Sequence, residues 1–263
     1  MNLQGKTVAI TGANRGIGWA LVQEISKRKS SIAMIVRKKE SVTPEMIQEL
    51  KEKGAPEVYV FEQDLSHAES LEGLVEEIFK SCTPHVLINN AGLLTGGLLE
   101  EQDAKEIQKM IQVNVVAVSL LSQYFLRKFL EQGEGKIVNN ASVMGEMRFP
   151  ASSTYAASKA YVIGLTESLK KELRETNVNT LLMYTPGVKT DMFDDIHNKY
   201  EKHIDLDFLS SIPAEDWAKK VVQAIEKDHE EVKPTGATGF GLILNRHFPR
   251  AFEALVATKF HRS

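Results

Sequence analysis

Thr7-Val8-Ala9-Ile10-Thr11, followed at once by Gly12-Ala13-Asn14-Arg15-Gly16-Ile17-Gly18 and then by the helical run Trp19 to Arg28, decides the fold. The first five residues, rich in β-branched side chains, predict a short strand, and the residues after the glycines recur with a helical period. The glycines let the backbone turn sharply and approach a bound pyrophosphate closely. The helix that follows would offer such a ligand free N–H groups and the positive end of a dipole. A glycine-rich turn alone is an ordinary tight connection. Placed between a strand and a helix at the start of an alternating chain, it predicts a dinucleotide site.

Outward from that turn, short aliphatic runs alternate with longer amphipathic ones. Strands are expected at 7–11, 31–36, 56–61, 85–89, 135–141 and 178–184, with helices between them. Runs such as Val86-Leu87-Ile88 are apolar on both faces, as strands of a parallel sheet covered on both sides must be. The predicted class is therefore α/β, a doubly wound parallel sheet, and 263 residues without a linker or repeat suit one domain. Ser66 with Glu69 reads as a capping box opening the helix after the third strand, and Pro213 opens another with Glu215 and Asp216 at its positive end.

Apolar residues at 43% and charged residues at 25% exclude a disordered or fibrous chain. A net charge of −3 supplies no global field for nucleic acid, so no nucleic-acid partner is expected. Cys82 is the only cysteine, which rules out an internal disulfide and leads us to expect a reducing, cytoplasmic setting. No apolar targeting segment is read ahead of Thr7, no run is read as long enough to span a bilayer, and no metal site is expected.

The spacing Gly12-x-x-x-Gly16-x-Gly18, preceded by Thr11, resembles the short-chain dehydrogenase/reductase family. Asp64, Asn89-Asn90-Ala91-Gly92, Asn114, Ser142, Tyr155 with Lys159, and Pro186-Gly187 with Thr190 match that family in order, over roughly residues 5 to 190. The resemblance implies a Rossmann-type sheet. It places the cofactor against Gly12, Asn14, Arg15, Gly16, Ile17 and Gly18, against Asp64 and Leu65 toward the adenine, and against Asn90, Ala91 and Gly92 beside the adenosine. It sets Pro186, Gly187, Val188 and Thr190 at the nicotinamide end, and has Lys159 hydrogen-bond the nicotinamide ribose. Homodimers or homotetramers are the usual assemblies of such proteins.

The end of the second strand distinguishes NADP from NAD. A cofactor without a 2′-phosphate usually meets a carboxylate there, whereas a phosphate needs cations. This sequence reads Val36-Arg37-Lys38-Lys39, with no acid before Glu40. Arg37 can grip a phosphate through its planar fork and Arg15 can approach from the glycine turn, so NADP(H) is the expected cofactor.

Reducing a carbonyl needs a hydride at carbon and a proton at oxygen. Tyr155 and Lys159, four apart in a helical run, fall on one helix face. A neighbouring ammonium is expected to lower the tyrosine pKa from its unfavourable ordinary value. Ser142 can stabilise charge on the substrate oxygen. By the resemblance, Asn114 bends its helix and holds a water that links Lys159 to solvent. Asn140 departs from the family, which more often carries an aliphatic residue there; its amide must find partners or face the substrate pocket.

The segment 193–212 lacks a strand signal and is expected to be a substrate lid. Over 241–263, Leu244, Phe248, Phe252 and Leu255 predict an amphipathic helix flanked by Arg246, Arg250, Lys259 and Arg262. It is expected to pack on the domain or on a second subunit, with a membrane surface as the other placement. Met144, Met147, Phe149, Met192 and Phe193 suggest an apolar pocket. The expected activity is NADPH-dependent reduction of a hydrophobic ketone or aldehyde. Alternatives are a carrier-linked 3-ketoacyl reductase, an NADP-dependent alcohol dehydrogenase and a non-catalytic NADP(H) sensor. A sugar-nucleotide epimerase of the extended branch would need a different glycine spacing and a longer C-terminal domain.

Overall fold

Side chains of the central strands alternate between two apolar layers, and that alternation builds the core. The computed structural model describes residues 1–205 and 210–262, with 197 and 198 described by backbone only. In chain order the elements are β1 (Thr7–Thr11), α1 (Gly16–Ser26), β2 (Ser31–Val36), α2 (Pro44–Glu52), β3 (Val58–Glu62), α3 (Leu71–Ser81) and β4 (Pro84–Asn89). There follow α4 (Ala104–Ile111), α5 (Val118–Gln132), β5 (Gly135–Asn140), α6 (Ser153–Glu172), β6 (Val178–Met183), β7 (Gly187–Val188) and α7 (Asp191–Tyr200). The chain closes with β8 (Ser211–Ile212), α8 (Ala214–Glu226), β9 (Glu231–Val232), α9 (Gly236–His247) and α10 (Pro249–Ala257).

Seven parallel strands form one sheet in the order β3-β2-β1-β4-β5-β6-β9, and β7 pairs with β8 apart from it. Val8 and Ile10 of β1, with Val86 and Ile88 of β4, face the cluster that includes Trp217 of α8. Ala9 and Leu87 face the opposite cluster, with Leu121, Phe125 and Phe129 of α5. The strand order reverses between β1 and β4, so a crevice opens where their carboxyl ends diverge, which is where open parallel sheets bind ligands.

All six expected strands are present, with ends moved by up to two residues. β9 was not foreseen: a two-residue strand is too short to show a period. Pro213 does precede a helix, with Glu215 and Asp216 in its first turn.

Four expectations need correction. Ser66 caps no helix; its N–H and hydroxyl both donate to Asp64 Oδ1, and α3 begins only at Leu71, after a 3-10 turn. The continuous helix 104–132 is long and apolar enough by composition to cross a bilayer, a run the sequence reading passed over. Here it packs Ala117, Leu121, Phe125 and Phe129 against the sheet. The predicted tail helix is two helices, broken at Phe248, because Pro249 disfavours helical geometry in the residue before it. The expected irregular segment 193–212 is largely helical at its start, as α7, and ends in β8; residues 206–209 of that range lie outside the described residues, as does Ser263 of the tail.

Candidate active site

The turn after β1 is a cradle that side chains would fill. Gly12 and Gly16 hold positive φ angles of 65° and 53°. A Cβ on Gly18 would lie 2.0 Å from the carbonyl oxygen of Gly12, so only glycine fits there. Helix α1 starts behind the turn with no capping side chain and no acid in its first turn, which leaves its N–H groups open to an anion. Thr11 Oγ1 accepts the backbone N–H groups of Asn90 and Ala91 at 2.9 and 3.0 Å, and so joins the end of β1 to the end of β4. Asp64 sits at the end of β3. Burial acts to raise its pKa, but the two hydrogen bonds from Ser66 and the charges of Lys109 and His67 hold it below the ordinary aspartate value.

Arg37 and Lys38 are exposed at the end of β2, while Arg15 forms an exposed ion pair with Asp191 of α7 at 3.3 Å. The other end of the basic stretch has a structural task, since Lys27 and Arg28 both bind Glu24.

At the end of β5, Ser142 accepts the N–H of Met144 at 3.2 Å, which orients its hydroxyl beside Tyr155. Tyr155 and Lys159 share a face of α6, and the Lys159 ammonium lies 5.8 Å from the tyrosine ring centroid. Lys159 Nζ donates to the Asn140 carbonyl at 2.8 Å. The expected lowering of the tyrosine pKa is not found. Burial pushes Tyr155 up to about 12, opposed only by its hydrogen bond with Ser142, and pushes Lys159 down to about 8. The reason is geometric: the ammonium lies over the ring and spends a hydrogen bond on Asn140, so desolvation dominates for both groups.

Asn114 sits in a π-helical turn, 112–117, between α4 and α5, so the helix is locally distorted where bending was expected. Its amide is fully occupied within the protein: Oδ1 accepts from Leu93 N–H at 2.8 Å, and Nδ2 donates to the Leu93 carbonyl and to the Ser158 hydroxyl. Asn140, the departure from the family pattern, has both amide ends satisfied. It donates to Asn90 Oδ1 at 3.1 Å and accepts from Thr185 Oγ1 at 2.5 Å.

One cavity of about 930 Å³ is lined by every predicted site residue except Gly18 and Asn114. Gly18 packs beneath the turn, and Asn114 lies behind Gly92. Several lining residues were not read from the sequence. Lys38 extends the cationic edge beside Arg37, Ser41 adds a hydroxyl to the same lining, and Tyr200 of α7 donates to the Thr95 carbonyl at 2.6 Å. Leu244, Phe252, Leu255 and Val256 of the last two helices form the far wall. Lys38 could have been found from its place in the basic run; the tail residues carry no signal beyond helical spacing. Among the described residues, no His, Cys, Asp and Glu gather as a metal site.

The profile of the family described as short chain dehydrogenase matches residues 6–201. The chain belongs to that family. It is an NAD(P)-dependent short-chain oxidoreductase, with the seven-stranded parallel sheet of its relatives. A 3-oxoacyl-[acyl-carrier-protein] reductase, FabG of Aquifex aeolicus, is 30% identical over 211 residues, covering 78% of this chain and 85% of the relative. Two solved structures share the fold. A short-chain dehydrogenase from Burkholderia cenocepacia in complex with NADP superposes with a TM-score of 0.81 at 22% identity, over 97% of this chain and 99% of that one. A Burkholderia phymatum relative in complex with NAD gives 0.80 at 24% identity, over 100% and 98%.

Proposed function

We propose that this chain reduces a hydrophobic ketone or aldehyde to the alcohol with NADPH. The observation that carries the reading is the meeting of Ser142, Tyr155 and Lys159 in a single cavity with the glycine cradle at one end and an apolar wall at the other. The cradle fits a dinucleotide because Gly18 lets the turn pack tightly over the start of α1, where a Cβ would strike the Gly12 carbonyl, and because α1 leaves its first N–H groups uncapped. Arg37 and Lys38 would hold a 2′-phosphate, with no carboxylate of their own segment to repel it before Glu40. A dinucleotide relative described as an NAD complex makes this preference a property of the chain's own cations rather than of the family.

When bound, the nicotinamide supplies the hydride to the carbonyl carbon. Tyr155 Oη gives its proton to the carbonyl oxygen. Burial keeps that phenol protonated through neutral pH but makes it a weaker acid than an ordinary tyrosine, an effect opposed by its hydrogen bond with Ser142. Ser142 holds the same oxygen and stabilises its developing charge, while Lys159, anchored by the Asn140 carbonyl, would hydrogen-bond the nicotinamide ribose. Thr190 and Val188 stand at the nicotinamide end, and Asp64 at the adenine end. The helix α7 with β8 acts as the lid, and two or four chains assemble.

A second reading is favoured by the 30% identity to a 3-oxoacyl-carrier reductase, namely that the substrate is a 3-ketoacyl thioester. A panel of ketones, aldehydes and 3-ketoacyl thioesters followed by NADPH absorbance separates the two. Turnover of free apolar ketones above that of thioesters is expected; turnover confined to thioesters selects the second reading, and turnover of none of them removes both.

A further inference from the structure

Along the floor of the cavity, four side chains pass hydrogen bonds in one direction across the carboxyl ends of four strands, ending on backbone carbonyls. Trp217 Nε1, on α8, donates to Thr185 Oγ1 at 3.2 Å, just past β6. Thr185 donates to Asn140 Oδ1 at 2.5 Å, at the end of β5. Asn140 Nδ2 donates to Asn90 Oδ1 at 3.1 Å, just past β4. Asn90 Nδ2 then donates to the carbonyl of Thr11 at 3.1 Å, with the Gly12 carbonyl at 3.5 Å, at the end of β1. Every amide has one orientation that serves both neighbours, and each bond polarises the next. Trp217, Thr185 and Asn140 are all buried, so an apolar side chain at 140 would leave Asn90 Oδ1 without its donor and free that amide to turn.

We propose that Asn140 is a positioning residue for the dinucleotide: it locks the Asn90 amide, and through it the carbonyls of the glycine turn, in the conformation that receives the cofactor. The inference rests on the dinucleotide-dependent function proposed above. Asn140 also seats the second half of the site, since its own backbone carbonyl holds Lys159 Nζ. It contributes no reacting group. Its task is to keep the end of β4 and the turn after β1 in register before the cofactor arrives, so less ordering remains to be done on binding.

The test is calorimetric titration of NADPH into the wild type, Asn140→Leu, Asn140→Ala, Trp217→Phe and the double variant Asn140→Leu/Trp217→Phe, each with its melting temperature. Asn140→Leu and Asn140→Ala are expected to weaken the NADPH Kd about tenfold, the loss of roughly one to two buried hydrogen bonds' worth of preorganisation. The alanine variant guards against overpacking by leucine. Trp217 lines no part of the cavity. Trp217→Phe should nonetheless weaken NADPH by about threefold in the wild-type background and not at all in the Asn140→Leu background, the non-additivity of residues sharing one network. A lower melting temperature with an unchanged Kd in both Asn140 variants would mean a merely structural amide and overturn the proposal. An equal effect of Trp217→Phe in both backgrounds would overturn it too. A wild type that binds neither NADPH nor NADH instead overturns the dinucleotide reading itself.

Discussion

The two halves of the cavity are built from opposite materials. Under β1, β2 and β4 the lining is glycine, backbone and hydrogen-bonded amide, with Arg37 and Lys38 at the rim. Toward the C-terminus it is Met147, Phe149, Leu244, Phe252 and Val256, packed in a cluster with Tyr184 and Val143. The first half achieves its shape through backbone conformations that few residues tolerate. The second achieves it through side-chain volume, which many apolar residues supply equally well. The teaching is that one half constrains residue identity and the other constrains only size and polarity. Ser142, Tyr155 and Lys159 stand at the seam, so substitutions there should affect the reaction without favouring either half.

The largest effect is expected at that seam. Tyr155→Phe should lower kcat by about a thousandfold or more, the range of a lost general acid, while the NADPH Kd stays within twofold. Stopped-flow reduction under saturating NADPH reads it; near-normal turnover would remove Tyr155 as the proton donor.

Next in size is a pH dependence at Lys159. Its folded pKa of about 8 lies below its ordinary 10.5, so below pH 8 the folded state bears the whole cost of a buried ammonium. Between about pH 8 and 10.5 the unfolded chain binds more protons than the folded one, and stability contributed by this group rises with pH. Lys159→Met lacks that cost. Its stability relative to the wild type should therefore fall by on the order of 3 kcal/mol between pH 7 and pH 10.5. Tyr155, whose raised pKa gives the opposite slope above pH 10, is present in both proteins and cancels. Urea unfolding at four pH values measures the difference, and a flat difference would place Lys159 in a wetter environment than its burial indicates.

The same contrast explains what could be read from the sequence. Gly12, Gly16 and Gly18 were legible because the turn admits no Cβ at Gly18 and strains one at the other two. Strands β1, β4 and β6 were legible because burial on both faces leaves an unbroken apolar run. Asn114 was legible as a misfit, an amide inside an apolar helix, and the π turn is its structural counterpart. The pKa of Tyr155 was not, because a sequence spacing puts Lys159 on the same face without saying that its ammonium is bonded to the Asn140 carbonyl and that burial governs both groups. The far wall was not legible either. Leu244, Phe252 and Leu255 become pocket residues only because α9 and α10 fold back over α6 and the β5 end, a long-range packing that helical periodicity does not encode.

On the polar side, Arg37→Ala should raise the KM for NADPH by about thirtyfold and leave that for NADH within twofold, as befits the loss of charge-assisted bonds to a phosphate. Paired kinetics with the two cofactors check it. Equal losses with both would mean that Arg37 supports the fold of the crevice and not the choice of cofactor.

The smallest expected effect tests the apolar side, and it needs a residue whose loss does not unsettle the core. Phe252 and Val256 are unsuitable because both are buried. Leu255 is 55% exposed yet lines the cavity, so truncating it removes contact area from a substrate while leaving the packing of α10 nearly intact. Leu255→Ala should raise the KM of a long-chain or bulky ketone about fivefold, the worth of roughly one to two methylene contacts in an apolar pocket. A small ketone such as acetone, which would occupy only the space beside Ser142 and Tyr155, should show no change, and neither should the NADPH Kd. If large and small ketones respond alike, α10 does not wall the substrate, and the substrate half of the cavity ends at Met147 and Phe149.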